Sequence, residues 1–198
     1  MPQLSYDKTI NKTLSGEKLR YGLLYGNEKI VFIKVGAGGS IRGYQGKYLK
    51  MAHRVHERLG ATVICASNPD TERGHEDADR AMIESVAAEA EFASYEVYFV
   101  GTSDGGYHNL KLAKIVPQSV KFLGINASLN SVQDLTEKLQ AIPDVPKLLV
   151  YGTKDEDYIR EPALRALKCD NLEVITIEGA DHDFTGMVEE FIALTDLL

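Results

Sequence analysis

The sequence predicts an α/β protein: a mostly parallel central sheet with helices on both faces and an antiparallel hairpin at its N-terminal end. Three observations predict it. Short apolar runs recur along the chain and alternate with stretches of helical periodicity. Most of those runs are apolar on both faces, as strands are when helices cover the sheet on either side. The connections are short, with no internal repeat, low-complexity tract or linker. A chain of 198 residues is long enough for one domain with a well-buried core, read here as 1–198, and too short for two ordinary ones.

The elements follow in order. TINKTL (9–14) and KLRYGLLYG (18–26) read as the hairpin, with Ser15-Gly16-Glu17 as its turn. KIVFIKVG (29–36) is a nearly continuous apolar strand. Residues 44–59 carry Tyr48, Ala52, Val55 and Leu59 on one helical face, and Gly60 supplies the stop. ATVICAS (61–67) is a strand, and 76–92 a helix with Met82, Val86, Ala90 and Ala93 on one stripe. EVYFV (96–100) is a strand followed by a helix over 104–115. KFLGINAS (121–128), a helix over 132–142, KLLVYG (147–152), a helix over 158–167 and LEVITIEG (172–179) continue the alternation. A last helix over 184–197 turns Phe184, Val188, Phe191 and Thr195 inward.

Composition narrows the function. The net charge of -7 disfavours nucleic acid and anionic membrane surfaces, which need a cationic face. No apolar run has the length of a membrane span, and the start, MPQLSYDKTINKT, lacks the apolar core of a secretory signal. Cys65 and Cys169 make no disulfide framework, so a reducing cytoplasm is the expected setting. Neither cysteine has a second Cys or a His at metal-ligand spacing, so no zinc site is expected.

A parallel sheet carries its site at the C-terminal ends of its strands, and the residues that suit chemistry fall there. GTSDG (101–105) follows strand EVYFV and opens a helix. Such a corner forces the serine into a strained conformation, needs small neighbours and presents the hydroxyl. Ser103 is therefore the candidate nucleophile, and the helix N-terminus offers the Asp104 N–H to an oxyanion. A serine needs a base. His53 and His56 fall mid-helix, His75 in a polar loop and His108 inside the helix that Ser103 opens; these read as surface or misdirected. His182, in GADHDF just past the last strand, is the candidate base. The acid that orients it comes from the loop GTKDEDY, where Asp155 is the first choice and Asp157 the alternative, unless Asp157 caps the next helix. VGAGGS (35–40) supplies a second oxyanion donor from Ala37 or Gly38. Nucleotide readings of that loop fail, because Ile41 stands where either Gly-rich fingerprint requires glycine.

The order Ser103, Asp155, His182, each after its own strand, resembles the α/β-hydrolase fold over nearly the whole chain. VGAGGS is similar to the family's oxyanion loop, GTSDGG to its nucleophile elbow, YGTKDEDY to its acid loop and GADHDF to its histidine loop. The resemblance implies hydrolysis through an acyl-enzyme with no cofactor, with Ala37 and Asp104 as the oxyanion donors. Two departures stand out. Val35-Gly36 replaces the family's frequent His-Gly, and only residues 129–146 separate two strands between which the family often inserts a lid. The expected site is open, without a large lid, and suited to a small or extended acyl substrate. Gly38 and Arg42 are the candidate substrate-binding residues, Arg42 for an anionic group, although a solvated arginine is its plainer reading. The expected protein is thus a carboxylesterase- or thioesterase-type serine hydrolase. The alternative is a non-catalytic scaffold of the same fold acting as a binding or regulatory protein. The sequence is silent on oligomeric state.

Overall fold

The computed structural model describes residues 4–14, 16–69, 75–128 and 131–198. The N-terminal hairpin pairs β1 (Lys8–Leu14) with β2 (Glu17–Leu24), antiparallel from Lys8↔Leu23 to Leu14↔Glu17. Ser15 of the predicted turn lies outside the described residues. β2 also pairs antiparallel with β4 (Ala61–Ala66), and from there every pairing is parallel. The remaining strands are β3 (Asn27–Lys34), β5 (Glu96–Thr102), β6 (Ser119–Ile125), β7 (Lys147–Gly152) and β8 (Leu172–Ile177). Their order across the sheet is β1-β2-β4-β3-β5-β6-β7-β8.

Alternation along each strand divides the apolar residues between two faces. Ile30 and Phe32 pack with α2 (Glu76–Glu89), α3 (Asp104–Ile115) and α4 (Val132–Gln140) through Met82, Leu110, Leu112 and Leu135. Val31, Ile33 and Val35 pack on the other face with α1 (Lys47–Leu59) and α6 (Val188–Ala193) through Met51, Val55 and Phe191. That division makes every central strand apolar on both sides. Each buried phenylalanine of the middle row, Phe32, Phe99 and Phe122, contributes roughly 1.5–3 kcal/mol by burial.

One charge interrupts the row. Lys34 ends β3 inside the protein, and its ammonium donates to Asp79 Oδ2 of α2 at 2.8 Å. The Tyr21 hydroxyl donates to the other oxygen, Oδ1, at 2.9 Å. Both ionised groups are buried, so pairing and hydrogen bonding must offset their desolvation.

Five helices differ from expectation. α1 begins at Lys47 rather than 44, because residues 44–46 form a 3-10 turn with Gln45 at φ 52, and α4 ends at Gln140 rather than 142. The segment predicted as one helix over 158–167 is a short helix α5 (Glu156–Arg160) followed by a 3-10 turn, Pro162–Ala166. Pro162 disfavours helical backbone at the residue before it, and Glu161 sits at φ -112, ψ 78. The last helix begins at Val188 rather than 184, because Phe184 takes φ 56 in a turn, although its ring is buried as expected. α2 stops at Glu89, ahead of Glu91 at φ 53. Between β6 and β7 only α4 stands among the described residues, so no large lid covers the sheet edge; residues 129–130 of that connection lie outside the description. Among the described residues no helix is long and apolar enough to cross a membrane.

Candidate active site

The corner between β5 and α3 is tight because its glycines allow it. Ser103 has φ 53 and ψ -128, a conformation costing of order 1–3 kcal/mol for a residue with a side chain. A Cβ on Gly101 would overlap the backbone of Gly105 and Gly106. One on Gly105 would overlap the carbonyl oxygens of Lys34 and Val35. Strand, turn and helix therefore approach more closely than any side chain permits, and that packing holds the serine in place. Ser103 N–H donates to Ile125 O, and Ser103 O accepts from the N–H groups of Gly106 and Ser128.

His182 and Asp155 meet this serine from neighbouring strand ends. Gly152 at the end of β7 has no Cβ to press on Ala180 O, so the acid and histidine loops run together. Asp181 turns the histidine loop by accepting the Thr185 N–H at 2.8 Å. Asn126, at φ 43 after β6, donates Nδ2 to the carbonyls of Asp181 and His182 and accepts the Gly152 N–H. His182 Nε2 then stands 2.9 Å from Ser103 Oγ, and His182 Nδ1 stands 2.6 Å from Asp155 Oδ2. Burial opposes ionisation of Asp155, but bonds from His182 and the Tyr158 N–H hold its pKa below the usual carboxylate range. An ionised carboxylate only accepts, so the ring proton resides on Nδ1 and Nε2 is left to accept from the serine. The bond to Asp155 raises the His182 pKa above its ordinary 6.5, against partial desolvation.

Of the acidic candidates, Asp155 holds the histidine, and it also caps the helix, the role the sequence left open for Asp157. Its Oδ1 accepts the Tyr158 N–H at 3.0 Å while Oδ2 faces His182. One fully buried carboxylate thus starts α5 and orients the imidazole.

The two backbones expected to serve an oxyanion lie on the other side of the serine. As the first residue of α3, Asp104 has an N–H with no partner inside its helix. Gly39 N–H donates to Gly36 O, closing a turn that leaves Ala37 exposed at its tip on the cleft. A Cβ on Gly36 would lie 3.2 Å from Ser103 Cβ, so this loop abuts the elbow. Asn68 joins the two carriers: its backbone N–H donates to Gly39 O and its Nδ2 to Asp104 Oδ2. The Asp104 carboxylate also meets His108 Nε2 at 3.1 Å, and His108 Nδ1 meets Glu76 at 3.0 Å. Burial works against the charged His108 ring, but the two carboxylates win and raise its pKa. His108 and His75, expected along a helix and at the surface, are both buried against carboxylates, His75 Nε2 lying 2.9 Å from Glu17 Oε2.

The cleft over this site holds roughly 330 Å³ and is walled by Ala37, Lys47, Tyr48, Ile125, His182 and Phe191. Arg42 is exposed and, like Gly38 at φ 65, is not among the residues lining it. Four residues of the site escaped the sequence reading. Ser128 Oγ lies 3.0 Å from Ser103 Oγ; since the serine proton points to His182, Ser128 donates. The Tyr48 hydroxyl bonds Thr102 Oγ1 at 2.8 Å and accepts from Gly36, bracing the oxyanion loop against the elbow. Asn126 and Lys47 complete the set. Only Ser128 and Asn126 carried a signal, their position at the C-terminal end of a strand next to the serine's. Among the described residues no cluster of His, Cys, Asp and Glu could hold a metal.

Strand order, parallel crossovers and the strained serine corner define the α/β-hydrolase fold, and known structures bear this out. The chain superposes on Est1E from Butyrivibrio proteoclasticus with TM-score 0.69 and 15% identity, covering 96% of each chain. An alpha-beta serine hydrolase homologue from Coxiella burnetii aligns with TM-score 0.69 and 15% identity over 99% of both chains. Mouse alpha/beta hydrolase domain-containing protein 10 aligns with TM-score 0.64 and 18% identity, covering 96% of this chain and 97% of that one. No protein-family model and no curated protein sequence matches the chain.

Proposed function

We propose that the protein is a serine hydrolase that cleaves a small ester or thioester through Ser103, His182 and Asp155. The observation that carries this reading is the unbroken line from Ser103 Oγ to His182 Nε2 and from His182 Nδ1 to Asp155, at 2.9 and 2.6 Å, ending on a strained serine. A surface serine in an ordinary turn has no use for a buried carboxylate holding the tautomer of its neighbour. In the reaction, His182 Nε2 takes the Ser103 proton as Oγ attacks the carbonyl. The N–H groups of Ala37 and Asp104 receive the oxyanion, and Asp155 stabilises the imidazolium. His182 returns the proton to the leaving alcohol or thiol. Water, activated by the same imidazole, then clears the acyl group from Ser103. The esterase and serine-hydrolase titles of structural neighbours are in keeping with this chemistry.

The test is intact-protein mass after incubation with a fluorophosphonate. Wild type is expected to gain one adduct, and Ser103→Ala and His182→Ala are expected to gain none. An unlabelled wild type would mean that the serine is not activated, leaving the fold as a binding or regulatory scaffold.

A further inference from the structure

The wall of the cleft contains a charge that the proposed chemistry does not use. Lys47, the first residue of α1, is nine-tenths buried, with 9% of its side chain exposed. Its stem runs past Gly43, where a Cβ would press on Lys47 Cγ and the Tyr48 ring. Its ammonium lies 4.8 Å from the centre of the Phe191 ring and 5.4 Å from that of Tyr48. An ammonium has three donors. Here Nζ donates to the carbonyl of Asp183 at 3.1 Å, next to the catalytic histidine. The carboxylate closest to it among the described residues is that of Asp183, 4.0 Å away and 82% exposed, so water already satisfies most of that anion. Burial lowers the Lys47 pKa, with Asp183 and Asp181 opposing that loss. A cation held this way, at the edge of an apolar cleft, has donors to spare for whatever enters the cleft.

We propose that Lys47 forms an anion subsite beside the triad, so that the substrate carries a carboxylate on its acyl chain or its leaving group. This rests on the serine-hydrolase reading and narrows it. The role expected of Arg42 falls to Lys47: Arg42 is solvated away from the cleft, whereas Lys47 lines it. The aromatic rings of Tyr48 and Phe191 flank the ammonium and displace water from it, which strengthens its attraction for an incoming anion. Lysine acts there as a point charge and sets no fixed geometry, which suits an anion at the end of a flexible chain.

The experiment compares esters matched except for charge. On the acyl side the pair is 4-nitrophenyl hemisuccinate and 4-nitrophenyl butyrate; on the leaving-group side it is 4-acetoxybenzoate and its methyl ester. The readout is the ratio of kcat/KM for the anionic ester to that for the neutral one. Lys47→Met, which keeps the length of the stem, is expected to lower that ratio roughly 10- to 100-fold for one pair. Lys47→Arg is expected to restore most of it. The pair that responds identifies where the carboxylate sits. An unchanged ratio for both pairs overturns the proposal, because a lysine that merely clamps the histidine loop through Asp183 would slow charged and neutral esters alike. Calorimetric titration with succinate and with 4-hydroxybenzoate gives a reading that needs no turnover and no stable variant. Binding of either to wild type, weakened by Lys47→Met or by raised ionic strength, supports the subsite, and absence of binding overturns it. Failure of the hydrolase reading is seen separately, as no fluorophosphonate adduct and no turnover of any of the four esters.

Discussion

Asp155→Asn lowers kcat by roughly 10⁴-fold while leaving the fold intact, and the geometry says why so conservative a change costs so much. Oδ1 of Asp155 is claimed by the Tyr158 N–H, which only donates. An asparagine must therefore keep its oxygen at the cap and turn its NH₂ toward His182. That amide donates to Nδ1, so the ring proton moves to Nε2, and Nε2 then has no lone pair for the Ser103 hydroxyl. Helix α5 keeps its cap and stability changes little, yet the base is in the wrong tautomer. The pH dependence moves as well. His182 acts only when neutral, and the Asp155 bond raises its pKa above 6.5, so the acid limb of the wild-type profile lies above that pH. Without the carboxylate charge, the imidazole loses its proton more easily, and residual activity reaches its plateau at lower pH. Steady-state kinetics on one activated ester, from about pH 5 to 9, checks both outcomes; an unshifted limb with full activity sinks the assignment of Asp155.

Asp79→Ala destabilises the protein by about 3–5 kcal/mol, the largest effect on stability expected away from the serine corner. The substitution leaves the Lys34 ammonium, 1% exposed, without its counter-charge and the Tyr21 hydroxyl without its acceptor. For a chain of this size that corresponds to a fall in Tm of about 6–20 °C. The double variant Lys34→Met with Asp79→Leu removes both charges together and is expected to recover most of the loss. Thermal and urea unfolding of the three proteins decide the point. Equal destabilisation of the single and double variants would mean that lost packing and the orphaned Tyr21 hydroxyl, rather than a stranded charge, set the cost.

Much of this architecture was legible because the parallel sheet writes itself into the sequence as runs such as KIVFIKVG and KLLVYG, apolar on both faces, with a glycine where each leaves the sheet. Ser103 was legible for a related reason: the steric demands of its corner fix glycine on either side of it. His182 stood out by its place after the last strand. What stayed hidden depends on contacts between distant segments. Asp155 was legible as the orienting acid, but not as the cap of α5, because the next helix was expected to begin at Tyr158 with Asp157 ahead of it rather than at Glu156. Lys47 and Tyr48 read as the start of an amphipathic helix, and only the packing of α1 against β5 and α6 brings them into the cleft. His75 looked solvated and His108 merely misdirected along its helix, because their partners, Glu17 and Glu76, come from other elements.

His182, the proposed base, is carried past β8, an edge strand paired with β7 among the described residues and with every residue from Leu172 to Ile177 at least partly exposed. Ser103, the proposed nucleophile, leaves β5, enclosed between β3 and β6. An outer strand with one partner opens locally at a lower free energy than the interior of a sheet. The two halves of the proposed proton transfer therefore belong to regions of unequal persistence, and the fraying of one margin is enough to part them. Loss of function would then precede loss of the fold, with the serine still strained on its corner and nothing beside it to take its proton.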